Sequence, residues 1–163
     1  MLVRAALLAG LATVFGFLLT PFEEETPEQP IAYSHKVHVD QGLDCSTCHT
    51  TVETHDRAQL PSVSQCMLCH AAIATEHPEV QKLAAYNERG VEPPWVRVYG
   101  FEKKAHVIFR HAAHVRAGVE CATCHGDVAQ MTVAERAVHH DMGTCVDCHR
   151  QNGASEDCAI CHY

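Results

Sequence analysis

A chain of 163 residues with 12 basic and 20 acidic side chains carries a formal charge of −8, which argues against nucleic acid as a partner. Aromatic residues are only 6% of the total, too few for the large apolar core of an ordinary enzyme domain of this length. Cysteine and histidine are abundant instead, with 10 and 14 copies.

Taken from the start, Leu2 to Phe22 are apolar apart from Arg4, two threonines and Pro21. The run is long for a signal peptide and slightly short for a spanning helix. It predicts an uncleaved membrane anchor over residues 1–22, with a cleaved signal peptide as the alternative. Either way Arg4 stays on the cytoplasmic side and the rest is exported. Residues 23–30, rich in Glu and Pro, read as a tether.

The remainder, residues 31–163, reads as one domain in three parts. Residues 31–77 open with Tyr33-Ser34-His35-Lys36-Val37-His38, then Gly42-Leu43-Asp44. Cys45, Cys48 and His49 follow, and then Cys66, Cys69 and His70. Residues 78–100 form a linker. A helix is predicted over residues 78–89, with Pro78 in its first turn and Gly90 closing it. Trp95, the only tryptophan, is expected to be a packing lid. Residues 101–163 repeat the opening as Phe109-Arg110-His111-Ala112-Ala113-His114, then Gly118-Val119-Glu120 and Cys121, Cys124 and His125. A second helix is predicted over residues 133–140. Cys145, Cys148 and His149 follow, then Cys158, Cys161 and His162.

Every cysteine thus falls in Cys-x-x-Cys-His, five times over. This is the attachment signature of c-type haem. Two thiols on one helical turn straddle the porphyrin edge, and the next residue is a histidine within reach of the iron. A zinc ribbon has no use for a histidine in that place each time, and a disulfide framework would not repeat the two-residue spacing. The expectation is five covalently bound haem c groups. The macrocycles then supply most of the apolar volume. The fold class expected is mainly α with much irregular structure and little or no β, a compact multihaem cytochrome with a haem-packed core and an N-terminal transmembrane helix.

Nine histidines lie outside the motifs: His35, His38, His55, His77, His106, His111, His114, His139 and His140. A haem iron takes a second axial ligand or stays open for substrate. Histidines three apart share one side of a helix, so His35/His38 and His111/His114 are favoured as distal ligands, together with His106. His77 suits a helix start and His55 solvent. His139 and His140 stand in reserve, and Met67, Met131 and Met142 are read as packing. Five favoured histidines for five irons leave nothing open, and no catalytic residue is assigned.

Several stretches resemble the pentahaem cytochrome c subunit of alternative complex III. They are Gln29-Pro30-Ile31-Ala32-Tyr33-Ser34-His35-x-x-His38, Cys66-Met67-x-Cys69-His70, and Pro94-Trp95-Val96-Arg97-Val98 with His106-Val107-Ile108-Phe109-x-His111-x-x-His114. The ending Met142-Gly143-x-Cys145 to Arg150 and Asp157-Cys158 to Tyr163 fits as well. More distantly, the His-x-x-His resembles class III multihaem cytochromes c. The resemblance implies a subunit anchored in the bacterial cytoplasmic membrane, facing the periplasm. It would take electrons from a quinol-oxidising complex and pass them to a mono-haem cytochrome c or an oxidase. Its partners would be polytopic quinol-binding subunits and an iron–sulfur/molybdopterin-oxidoreductase-like large subunit. It also implies that His35 serves the haem of His49 and His111 that of His125, with His38, His106 and His114 crossing to the other three. The chain departs from the family in being compact, with no extension after Tyr163, and in the pair His139-His140. Three other readings compete. One is a free electron shuttle of the class III kind. Another is a small reductase with one open iron, although the Cys-x-x-Cys-Lys variant of haem nitrite reductases is absent. The last is a small anchored quinol dehydrogenase.

Overall fold

The computed structural model describes residues 26–163, so the expected anchor over residues 1–22 lies outside the described residues. Among the described residues, no helix is long and apolar enough to cross a membrane. These residues form short helices joined by irregular segments, without a strand. One isolated antiparallel bridge joins Val107 to His162.

The helices follow local signals. Helix α1, His35–Val39, starts at Ser34, whose hydroxyl accepts from the Val37 N–H. Helix α2, Cys45–Cys48, is a single turn. Helix α3, Val63–His70, is capped by Ser62 through the Gln65 N–H. Helix α4, Pro78–Glu88, has Pro78 in its first turn and His77 as its N-cap, and Gly90 follows it at φ +65°. Helices α5, His111–Arg116, and α6, Cys121–His125, repeat α1 and α2. Helix α7, Met142–Gln151, is capped by Asp141, which accepts from Thr144 N–H at 2.7 Å. Helix α8, Cys158–Cys161, is capped by Asp157.

The internal duplication extends to the backbone. Gly42 and Gly118 take the left-handed conformation at φ +82° and +80°, each closing a two-histidine helix. Leu43 N–H returns to the His38 carbonyl, and Val119 N–H returns to that of His114. Tyr33 stands edge-on to His35 at 4.9 Å and stacks on His38 at 4.5 Å. Phe109 does the same to His111 at 4.8 Å and His114 at 4.5 Å.

The protein's own core is small. Ile31, Val63 and Leu83 are buried together, with Cys66, Met67, Tyr86 and Trp95 packed against them. Val80, Pro93 and Ala112 are buried as well. Trp95 therefore acts as the expected lid, covering this cluster. The start of the described chain docks here too. The Gln29 side chain bonds both the carbonyl and the N–H of Val96, at 2.8 and 3.0 Å, and Ala32 N–H donates to Glu79 at 2.7 Å.

The helix expected over residues 133–140 is not formed; the segment is irregular. Tertiary hydrogen bonds replace the helical ladder. The Arg136 guanidinium donates to the Val98 carbonyl at 3.0 and 3.2 Å, and Val138 N–H donates to the Tyr99 hydroxyl at 3.1 Å. The segment lies on Gly126, at φ +70°, where a Cβ would stand 2.6 Å from Ala137 Cβ.

Candidate haem centres

Each Cys-x-x-Cys pair sits on one helical turn, and all ten thiols are free. The histidine that ends each motif is held by its own local geometry. His49 Nδ1–H donates to the Gln59 carbonyl at 2.8 Å, His70 to Ile73 at 3.0 Å and His162 to Ala105 at 2.9 Å. His149 donates to Ser155 in the same way. A proton fixed on Nδ1 leaves Nε2 as the bare ligand nitrogen, the second-shell arrangement that orients a metal-binding imidazole. His125 is held through Tyr99, whose ring meets it edge-on at 4.6 Å and whose hydroxyl donates to its carbonyl at 3.4 Å.

A second imidazole faces several of these. Metal–imidazole bonds run about 2 Å, so two imidazoles on opposite sides of one iron hold their ring centres roughly 6 Å apart. His38 stands 6.0 Å from His70, and His114 stands 5.9 Å from His149. His111 stands 6.3 Å from His125 with the planes 4° apart. His140 is 6.4 Å from the same His125, nearly perpendicular to it. The distal rings are oriented as well: His38 Nδ1–H donates to Ser34 and His114 to Arg110, both backbone carbonyls, and His111 Nδ1 lies 3.1 Å from the Asp56 carbonyl and 3.4 Å from the Ala58 N–H.

Electrostatics mark the same clusters. Burial first, then the facing His111 and His140, pushes His125 down to about 4. Burial, then His49 beside it, lowers His35. Burial raises the Cys48, Cys66, Cys124 and Cys145 thiols, with neighbouring thiols adding to the effect. Tyr33, between two motifs, is pushed up to about 12 by burial, then by Cys48 and Cys66.

The other histidines separate clearly. His77 accepts the Glu79 N–H on Nδ1 at 3.3 Å, so the neutral ring keeps its proton on Nε2 and acts as a cap. His55 is exposed and bonded to the Thr54 hydroxyl. His106 is exposed, left-handed at φ +48°, and meets the Tyr163 ring edge-on at 5.2 Å. His140, held in reserve on sequence grounds, has a buried Nε2 without a hydrogen-bond partner. That is the state of a ligand nitrogen rather than of a solvated one. Its position next to Asp141, the cap of α7, was the available signal. The donor set therefore fits haem c: paired thiols on a turn, an adjacent imidazole with a free Nε2, and opposed imidazoles at ligating separation.

Residues 107–163 match the family model for cytochrome c7 and related cytochrome c. Over 183 residues the chain is 33% identical to the menaquinone reductase multihaem cytochrome c subunit of Nitratidesulfovibrio vulgaris, covering 93% of this chain and 85% of that protein. With covalent haem c as its cofactor, the chain belongs to the multihaem cytochromes c that include this reductase subunit.

Proposed function

We propose that five haems, one per motif, make the chain a one-electron relay between a quinone-reactive membrane complex and a second redox partner. The observation that carries this is the facing of imidazoles across His70, His125 and His149 at 5.9–6.4 Å. Irons saturated on both sides exchange electrons and take no substrate. His49 pairs with His35, His70 with His38, His125 with His111, and His149 with His114. His111 and His140 cannot both be trans to His125. His111 holds the place in its block that His35 holds in the first, which leaves His106, beside Tyr163, for the remaining iron at His162, with His140 and its bare Nε2 in reserve at His125. The chain's own work is to bind the groups, orient the imidazoles through backbone carbonyls and exclude water beside Tyr33 and Tyr99.

The related subunit belongs to a menaquinone reductase. The resemblance to alternative complex III points to menaquinol oxidation instead. A haem chain conducts both ways, and the potentials of its partners set the direction. The companions would be polytopic quinone-binding subunits and an iron–sulfur/molybdopterin-like large subunit. The motifs and the N-terminal apolar run support an exported domain on the periplasmic side of the cytoplasmic membrane.

Purification from membranes in mild detergent tests this reading. Expected are five haems per chain, fully low-spin ferric spectra, co-purifying quinone-binding subunits, and electron exchange with menaquinol or menaquinone. Isolation as a lone soluble protein would instead favour a free shuttle. A high-spin signal that shifts with nitrite would favour a reductase.

A further inference from the structure

We infer that the two halves of the relay are joined through the first and third motifs, where α5 lies on the loop that follows His49, and not through the second and third as chain order would place them. The inference rests on the reading that each motif holds a haem.

Helix α5, which leads into the third motif, lies on the loop that follows the first. His111 Nδ1 lies 3.1 Å from the Asp56 carbonyl, and Ala112 N–H donates to the His55 carbonyl at 3.2 Å. Arg116 reaches the Glu53 carbonyl at 3.5 Å, and Arg110 stands 3.9 Å from the Asp56 carboxylate. Ala112 is buried at this contact and is 3% exposed. Burial, then the neighbouring Cys45 thiol, raises the Cys121 thiol, in keeping with this contact between the two motifs. His49 is close enough to act on His125 electrostatically.

The second motif lies against another part of the first. Gln65, on α3, donates to the Thr47 carbonyl at 2.7 Å. The Cys69 thiol adds to the rise of Cys48, and the Cys48 thiol to that of Cys66, in keeping with this contact. Beyond the junction, Cys124 neighbours Cys145 and Cys148, and Cys145 neighbours Cys161. The first motif therefore lies between the second, at Gln65 and Thr47, and the third, at α5. At the junction one electron passes: one side is oxidised by one equivalent, the other is reduced by one, and no bond is made or broken.

The haem-loaded protein tests the order directly. Anomalous scattering from iron in a crystal of the full chain gives every iron–iron distance. The expected result is a first-to-third distance shorter than second-to-third. A second iron closer to the third than the first is would overturn the inference. A count of fewer than five irons would instead fail the five-haem reading, and the order would still be judged on those present. A kinetic arm uses Cys45→Ala/Cys48→Ala beside Cys66→Ala/Cys69→Ala, each reduced by pulse radiolysis. Loss of the fast phase of equilibration between halves is expected in the first variant and its retention in the second. The reverse result would overturn the inference, and if either variant fails to accumulate, the iron distances decide.

Discussion

Gly126 and Ala137 touch where only hydrogen fits: a Cβ on Gly126 would come within 2.6 Å of the Ala137 Cβ. This approach brings residues 133–140 onto the third motif and His140 to within 6.4 Å of His125. Gly126→Ala adds a collision to an unfavourable φ of +70°. The expected cost is about 1–3 kcal/mol, read from chemical unfolding of the loaded protein. A change in the low-spin spectrum of one haem should accompany it. A variant as stable as the parent, with the same spectrum, would show that the segment yields easily.

His38 and His114 occupy equivalent places and should respond alike. His38→Ala or His114→Ala is expected to turn one low-spin iron high-spin and leave the other four unchanged. Electron paramagnetic resonance reads this directly. An unaltered spectrum in either variant would remove that residue from the ligand set. His106→Ala should give the same signature, while His77→Ala should not.

Leu83 is 6% exposed, in the small cluster with Ile31 and Val63. Leu83→Ala should cost about 2–4 kcal/mol, the range for a buried leucine deletion, without altering the haem spectrum. Unfolding followed by far-ultraviolet circular dichroism measures the first, and visible absorption the second.

Glu79 gives a pH dependence whose sign can be worked out. The Lys82 ammonium bonded to it, and then the Ala32 N–H, hold its carboxyl below the ordinary value. The folded state therefore favours the carboxylate. Its contribution to stability is full above the unfolded carboxyl value and fades as pH falls through the lower, folded value. Glu79→Gln should flatten this part of the acid side of the stability curve. An unchanged slope below neutral pH would assign the acid sensitivity elsewhere.

Much of this was legible in the residues. The Cys-x-x-Cys-His turns, the repeat of Tyr33 to Cys48 in Phe109 to Cys124, the helix after His77 and the Trp95 lid follow from spacing and from turn and cap chemistry. The absence of strands among the described residues follows from the same punctuation. The segment at residues 133–140 did not. Its conformation is decided by Val98 and Tyr99, far away in sequence, and a helical pattern cannot report such partners. The burial of His140 is likewise beyond a local pattern, since it depends on Gly126 and Ala137 meeting. The docking of α5 on the loop at Asp56 was invisible too, because it joins residues 55 positions apart in the chain.

Among the described residues so few aliphatic side chains are shielded from solvent that residues 26–163 have little to collapse around by themselves. Haem attachment is then expected to precede compaction, with the thiols taking up their pigments on an open chain. A strain deficient in the attachment machinery should accumulate no apo-form, because the bare polypeptide would be degraded before it could condense.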